Sequence, residues 1–369
     1  MGSFFVAATG QNVGKTTVCL GLVSGLQKRF SSVGFFKPVG QEYVELKTGL
    51  HVDKDVLLLK NHFQLKDPYE KMSPVLFPRG FTRDFLDGQI DHKHLTAKIL
   101  ASHRDLKMSN EMTVIEGTGH TGVGSIVDLN NAQVAALLKV PVVLVASGGL
   151  GSSFDELTLN YIACEKYGAR VAGVILNRVL EKKREMILEY IPKALARWNV
   201  PLLGCVPYTP FLSTPTMSDF EILFETELLT GKEKAFCHFE HIRLAAGPVE
   251  VFRTQMLPKE LIITPAVRED VILATLTKVW DRKIAGEEND LEIGFILTGK
   301  AAPKEAIVEE IRKSGLPMLH APVSSFFAMK MINSYTSKFR KEDTLKIAEA
   351  IKVVENHIDF EKLQTALQL

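Results

Sequence analysis

Cysteine is scarce in this 369-residue chain: Cys19, Cys164, Cys205 and Cys237 are its four, far apart and without a C-x-x-C pair. That spacing supplies neither a zinc site nor a disulfide framework, and it suits a reducing cytoplasm. A glutamine-hydrolysing nucleophile needs a cysteine on a tight glycine-rich turn, whereas Cys205 lies in Leu-Gly-Cys-Val-Pro and Cys237 in Phe-Cys-His, so a fused glutaminase is excluded. Excess charge of either sign is also missing. A net charge of +1 gives no bulk attraction toward nucleic acid. Long apolar runs are absent: the longest, Val140 to Val145 with its flanks, is too short and too glycine-interrupted to span a bilayer, and no signal peptide is read ahead of it. Met1-Gly2-Ser3 hints at N-myristoylation, but Val6 stands where Ser or Thr is required. No repeat or low-complexity tract is evident. What remains is a soluble globular protein whose partner is a small molecule or another protein, not nucleic acid or a membrane.

Length predicts two or three domains, and a composition of 46% hydrophobic and 24% charged residues allows each a sizeable core. The organising stretch is Phe4-Phe5-Val6-Ala7-Ala8-Thr9-Gly10-Gln11-Asn12-Val13-Gly14-Lys15-Thr16-Thr17, an apolar run, a glycine-bearing turn, then Gly-Lys-Thr opening an amphipathic helix. Backbone N–H groups of such a turn face inward and the helix dipole favours an anion, so a phosphate chain fits there, with Lys15 on the outer phosphates and the Thr16 hydroxyl on Mg²⁺. A strict G-x-x-x-x-G-K-[ST] motif wants glycine at position 9, where Thr9 stands and Gly10 follows. The bland alternative is a glycine-rich turn with an incidental lysine.

Further candidates lie downstream. Lys37 ends the apolar run Val33 to Phe36, at the carboxyl end where open α/β sheets bind ligands; it is read as a phosphate or substrate contact or as a lysine snorkelling from a strand edge. Asp53 and Asp55 open an apolar helix, Asp53 as a cap, Asp55 as a group able to help hold Mg²⁺. Met112 to Glu116 followed by Gly117-Thr118-Gly119-His120 has the form of a Walker-B strand, with Glu116 completing a magnesium site opposite Thr16. His120 is read as a loop histidine. Asn177, at another strand end, either reads a base edge or forms a turn.

Val-, Ile- and Leu-rich strands separated by helices predict a parallel sheet covered by helices on both faces over the first part of the chain. Phe211 to Arg253 is weakly patterned, and the alternation of strands and helices beyond it predicts a second, smaller α/β domain closed by a last helix from Lys341 to about Asn356. The expected division is 1–220 for the first domain, 221–240 for a connection and 241–369 for the second.

The run Ala8 to Val18, then Phe36-Lys37-Pro38-Val39-Gly40-Gln41, then Val114-Ile115-Glu116-Gly117-Thr118-Gly119 resembles the dethiobiotin synthetase superfamily of P-loop proteins. Ile175 to Val179 and Pro201 to Pro207 also resemble it, including the ATP-dependent amidating domain of cobyrinic acid diamide synthases. The later stretch Leu261 to Asp270, with Ile296-Leu297-Thr298-Gly299-Lys300, resembles the DRTGG domain. The pair in this order is similar to the N-terminal regulatory half of long phosphotransacetylases, with the acetyltransferase domain expected to be absent. The resemblance implies a P-loop NTPase-like fold with ATP and Mg²⁺ as cofactors. It implies Gly10, Asn12, Val13, Gly14, Lys15, Thr16 and Thr17 around the phosphates, Asn177 on the base, Thr16, Asp55 and Glu116 on the metal, and Lys15 and Lys37 as the catalytic pair. Gly10 and Gly40-Gln41-Glu42 depart from the dethiobiotin synthetase pattern, and Val267 and Lys300 replace the Asp and second Gly of the DRTGG motif. Two functions are therefore expected: a nucleotide-responsive regulator or scaffold serving an acyltransferase or other protein partner, or an ATP-dependent ligase acting on a small carboxylate or carbamate. A homodimer is expected in either case.

Overall fold

The computed structural model describes residues 1–286 and 291–368 and divides them into two compact units, one formed by residues 1–209 and 339–369, the other by residues 210–338. In the first unit six strands form one sheet: β1 (Gly2–Ala8), β2 (Val33–Phe36), β3 (Met112–Glu116), β4 (Val142–Ser147), β5 (Val171–Val179) and β6 (Leu202–Pro207). Their order is β6-β5-β4-β1-β3-β2, and every pairing is parallel. Parallel strands need crossovers, and the helices that make them bury the sheet, which is why these strands read as unbroken apolar runs rather than alternating ones. Phe4 to Ala8 are all buried. The chain leaves β1 for β2, returns to place β3 between them, then puts β4 on the far side of β1. The crevice of an open α/β sheet opens at such a reversal, at the strands' carboxyl ends.

The helix after β1, α1 (Lys15–Gln27), buries Val18, Leu20, Leu22, Val23 and Leu26. Its start is fixed by backbone geometry: Asn12 and Gly14 both take left-handed conformations, at φ 61° and 97°. A β-carbon on Gly14 would also stand 2.3 Å from the Asn177 amide nitrogen, so glycine is required there twice over.

The second unit carries β7 (Leu228–Thr230), β8 (His241–Leu244), β9 (Glu260–Pro265), β10 (Gly294–Thr298) and β11 (Met318–Ala321) in the order β7-β11-β10-β9-β8. All pairings are parallel except the antiparallel edge strand β7. One face packs on Val271, Leu276, Val308 and Ile311, the other on Met217, Phe220, Ala328 and Ile332.

The α/β class and the covered parallel sheet match the sequence expectation; the divisions differ in two places. Residues 221–240 are not a bare connection, because Phe224, Leu228 and Phe239 all enter the second core, and the helix Met217–Phe224, opened by a reciprocal Thr216 and Asp219 capping box, adds Met217 and Phe220 to it. The C-terminal segment packs in the first unit rather than the second. Its helices Thr344–Glu355 and Phe360–Leu367 lie against α1 and β6: Asp359 N–H donates to the Leu203 carbonyl at 2.9 Å, and Arg29 stacks over the Phe360 ring at 4.3 Å. The helix Phe360–Leu367 is an element that the sequence reading omits.

Candidate functional site

At the carboxyl ends of β1, β2 and β3 the sheet brings together side chains from four separate segments. The Thr16 hydroxyl, in the first turn of α1, lies 3.2 Å from Asp55 Oδ1 and 3.2 Å from Glu116 Oε1. Lys37 Nζ donates to Asp55 Oδ2 at 2.6 Å and to Glu116 Oε1 at 3.0 Å. Lys15 donates to the Gly119 carbonyl in the loop after β3. Four of the predicted residues, Thr16, Lys37, Asp55 and Glu116, thus share one contact network around the start of α1. Gly10, Asn12, Val13 and Thr17 line the same turn; Val13 is buried and Asn12 exposed.

Each is placed by an identifiable local cause. Lys37 follows β2, and its backbone N–H donates to the Met72 carbonyl. Asp55 stands in the first turn of α2 (Lys54–Phe63), where Asp53 is the N-cap and accepts from the Asp55 N–H at 2.9 Å, the cap role expected of it. Glu116 closes β3. The loop beyond it is pinned by Asn131, whose amide donates to the carbonyls of Thr118 and His120 and accepts from the Thr118 N–H. His120 accepts from the Gly122 N–H through Nδ1, a loop role.

The charges are strongly interdependent. Burial works against the Lys37 ammonium, but Asp55 and Glu116 outweigh it and hold its pKa well above the ordinary lysine value. Lys15 is pushed the other way, by burial first and then by Lys37. Burial and the nearby Asp55 raise Glu116; for Asp55 burial is opposed and outweighed by Lys37, so its pKa is lowered. Asp53 is raised to about 7, with burial the largest cause. Glu116 Oε2 is buried with no hydrogen-bond partner. An orphan carboxylate oxygen, a second carboxylate and a hydroxyl suit a hard cation that prefers oxygen. Among the described residues no group of three or more His, Cys, Asp or Glu side chains forms a metal cluster, so such an ion would draw its remaining ligands from phosphate and water.

Asn177 stands near the carboxyl end of β5, with its side chain against the start of α1. Its Nδ2 donates to the Val13 carbonyl at 2.8 Å and its Oδ1 accepts from the Arg178 N–H at 2.9 Å, so the amide braces the turn that precedes α1. The sequence reading overlooks two other supports of that turn. The Thr9 hydroxyl donates to Glu156 at 3.1 Å, and the Asn160 amide donates to the Thr9 carbonyl at 3.3 Å. Both come from the helix Gly151–Tyr167, and no motif marks them; only the four-residue spacing of two polar groups on one helix face could have drawn notice. In the second unit the departures Val267 and Lys300 both stand just past carboxyl ends of strands, and Arg268 pairs with Asp270 at 2.8 Å.

A parallel sheet whose first strand runs through a left-handed glycine turn into Lys15 and Thr16, faced by a carboxylate on the neighbouring strand, defines a P-loop NTPase-like protein. Residues 2–216 match the AAA domain model and residues 223–335 the DRTGG domain model. The chain belongs to the AAA domain family, here followed by a DRTGG domain. It is 25% identical over 378 residues to a phosphate acetyltransferase of Nitratidesulfovibrio vulgaris, covering 99% of this chain and 51% of that protein. It is 29% identical over 210 residues to the ATP-dependent dethiobiotin synthetase of Bacillus subtilis, covering 56% of this chain and 87% of that one. The chain thus spans about half the length of the phosphate acetyltransferases it matches. Among solved structures, the MinD cell division protein of Aquifex aeolicus aligns with a TM-score of 0.36 and 14% identity, over 57% of this chain and 84% of that one. No helix among the described residues is long and apolar enough to cross a membrane.

Proposed function

We propose that the first unit binds Mg²⁺-ATP and that the protein is a nucleotide-responsive regulator or scaffold whose second unit carries the response to a protein partner. The observation that carries this reading is the convergence of Lys15, Thr16, Lys37, Asp55 and Glu116 on the start of α1. Phosphates would take the inward N–H groups of the turn, with Lys15 exchanging the Gly119 carbonyl for phosphate oxygens. Thr16, Asp55 and Glu116 would hold the metal, which when bound neutralises charge on the phosphate oxygens. Lys37, kept charged by its two carboxylates, would face the outermost phosphate. The regulatory half of the reading draws on the similarity along nearly the whole chain to the first half of phosphate acetyltransferases, and it makes an acyltransferase the expected class of partner. A homodimer, with the loop Gly119–Gly124 near its interface, and a cytoplasmic setting belong to the same proposal.

A second reading is favoured by Lys37, a buried cation at the carboxyl end of β2 suited to an acceptor carboxylate or carbamate. There the chain would be an ATP-dependent carbon–nitrogen ligase working through phosphoryl transfer, as the dethiobiotin synthetase similarity suggests. Hydrogen exchange with and without Mg²⁺-ATP decides between the two. Regulation expects altered protection at residues 264–270 and 298–303 with slow turnover, since a ligand shifts an equilibrium only by its differential affinity for the two states. Unchanged protection together with strong phosphate release on adding small carboxylates or diamines would establish the ligase instead.

A further inference from the structure

On the helix His92–Ser109 the exposed side chains include no carboxylate. Lys93, Lys98, Arg104 and Lys107 all reach solvent, and none makes a hydrogen bond or ion pair through its side chain to another described residue. The helix carries one acid, Asp105, and Lys71 already holds it at 2.6 Å. Other helices of this protein neutralise exposed cations on their own surface. Lys193 meets Glu189 at 2.8 Å on the helix Glu181–Leu195, and Lys313 meets Glu310 at 2.8 Å on the helix Glu305–Ser314.

Helical spacing gathers the unpaired groups. At about 3.6 residues per turn, Lys93, Leu100, Arg104, Lys107 and Met108 fall within a stripe about 100° wide, with Lys93 about 21 Å from Lys107 along the axis. Leu100 and Met108 add large apolar side chains, 42% and 68% exposed. Arg104 and Lys107, three residues apart, repel one another, and the nearby Asp105 is given over to Lys71. In a chain of net charge +1 this is a local excess, not a bulk one.

We propose that this face docks an acidic amphipathic helix of a protein partner, its carboxylates on Lys93, Arg104 and Lys107 and its apolar ridge on Leu100 and Met108. Charge complementarity selects the occupant. A second copy using the same face would set cation against cation, as a two-fold interface must. A lipid surface calls for a broader apolar face than two side chains two turns apart supply. A nucleic acid would use the cations and leave Leu100 and Met108 without a role. The surface belongs to the first unit and lies outside the phosphate-binding turn, so the proposal stands apart from nucleotide binding and from any response carried by the second unit.

The probe is a fluorescein-labelled amphipathic peptide with Glu on one helical face and Leu along its centre, titrated with the full chain in the absence of nucleotide and followed by anisotropy. Saturable binding is expected, and raising the salt from about 0.05 M to about 0.5 M should weaken it at least tenfold. The triple variant Lys93→Gln, Arg104→Gln, Lys107→Gln should bind about tenfold more weakly, since exposed ion pairs are individually weak and three act together. Leu100→Ser with Met108→Ser should weaken binding about threefold, and a Gln-for-Glu peptide should bind no better than the triple variant binds the Glu peptide. All these residues are exposed, so the variants should fold. Arg104→Gln with Lys107→Gln should melt no lower than wild type, because it removes a like-charge pair. The proposal is overturned by absent or non-saturable binding, by equal affinity in the triple variant, or by a lower melting temperature of the double glutamine variant, which would mean that the chain itself uses these cations. Tighter binding of duplex DNA, or of vesicles of phosphatidylcholine with phosphatidylserine, than of the peptide would overturn it in favour of that surface.

Discussion

Lys37 Nζ and Asp55 Oδ2 lie 2.6 Å apart, joining the end of one sheet strand to the first turn of a helix 18 residues later. Glu116 receives the same ammonium at 3.0 Å. Two carboxylates face this one buried cation, and Lys15, which also interacts with both, offsets the second negative charge; without the lysines each carboxylate would be an uncompensated charge in a buried corner.

Lys15→Ala should abolish Mg²⁺-ATP binding and leave the fold intact. Lys15 is only half-buried and makes its hydrogen bond to a loop carbonyl, so its loss opens no cavity in the core. Calorimetric titration of both forms, with circular dichroism melts as control, tests this; equal affinities would sink the phosphate-binding assignment.

Glu116→Gln and Asp55→Asn should each move the magnesium titration to higher metal concentration while sparing metal-free nucleotide binding. An amide lacks the negative charge that a hard cation prefers. Both replacements also leave Lys37 with a single carboxylate, so a stability loss of roughly 1–3 kcal/mol is expected alongside. Magnesium titrations superimposable on wild type would reduce these carboxylates to counter-ions of Lys37.

A pH dependence should come from His103, in the helix His92–Ser109. Burial, then Lys107, lowers its pKa from 6.5 to about 4; the ring stacks on Phe36 at 6.1 Å and its Nε2 lies 3.2 Å from the Ser3 hydroxyl. The unfolded chain takes up the proton near pH 6.5 and the folded chain only near pH 4. Stability contributed by the neutral ring is therefore complete above about pH 6.5 and is lost as pH falls toward 4, by roughly 1–3 kcal/mol. Urea midpoints at pH 7 and pH 4.5 should differ less in His103→Gln than in wild type. An identical acid dependence in the two forms would remove His103 from the account.

Much of the site was legible in the sequence because its residues sit at strand ends and helix starts, where motif and periodicity coincide. Lys15, Thr16 and Glu116 are marked that way, and so is Asp55 behind its cap. Asn177 was legible as a strand-end amide, but its contact with the Val13 carbonyl depends on β5 lying two strands from β1, which spacing along the chain does not reveal. Glu156 and Asn160 carry no motif at all. The division of the chain misled for a related reason. The apolar pattern of 344–355 says that a helix buries one face, and nothing local says against which core.

That last assignment leads to a prediction whose sign is informative. Gly21 lies in the interior of α1, where alanine on an open helix face would stabilise by roughly 1 kcal/mol through backbone entropy. The structure instead puts Val354 against it: a β-carbon on Gly21 would stand 2.3 Å from both Cβ and Cγ1 of Val354. Cβ is fixed by the backbone, so no rotamer change relieves the clash and the helix Thr344–Glu355 must shift. Overpacking of that kind costs about 1–3 kcal/mol and outweighs the propensity gain. Gly21→Ala should therefore lower the melting temperature and expose residues 339–369 to proteolysis earlier than in wild type. A more stable Gly21→Ala protein with unchanged cleavage would mean that this segment does not pack on α1, and the second unit would then extend to the end of the described chain.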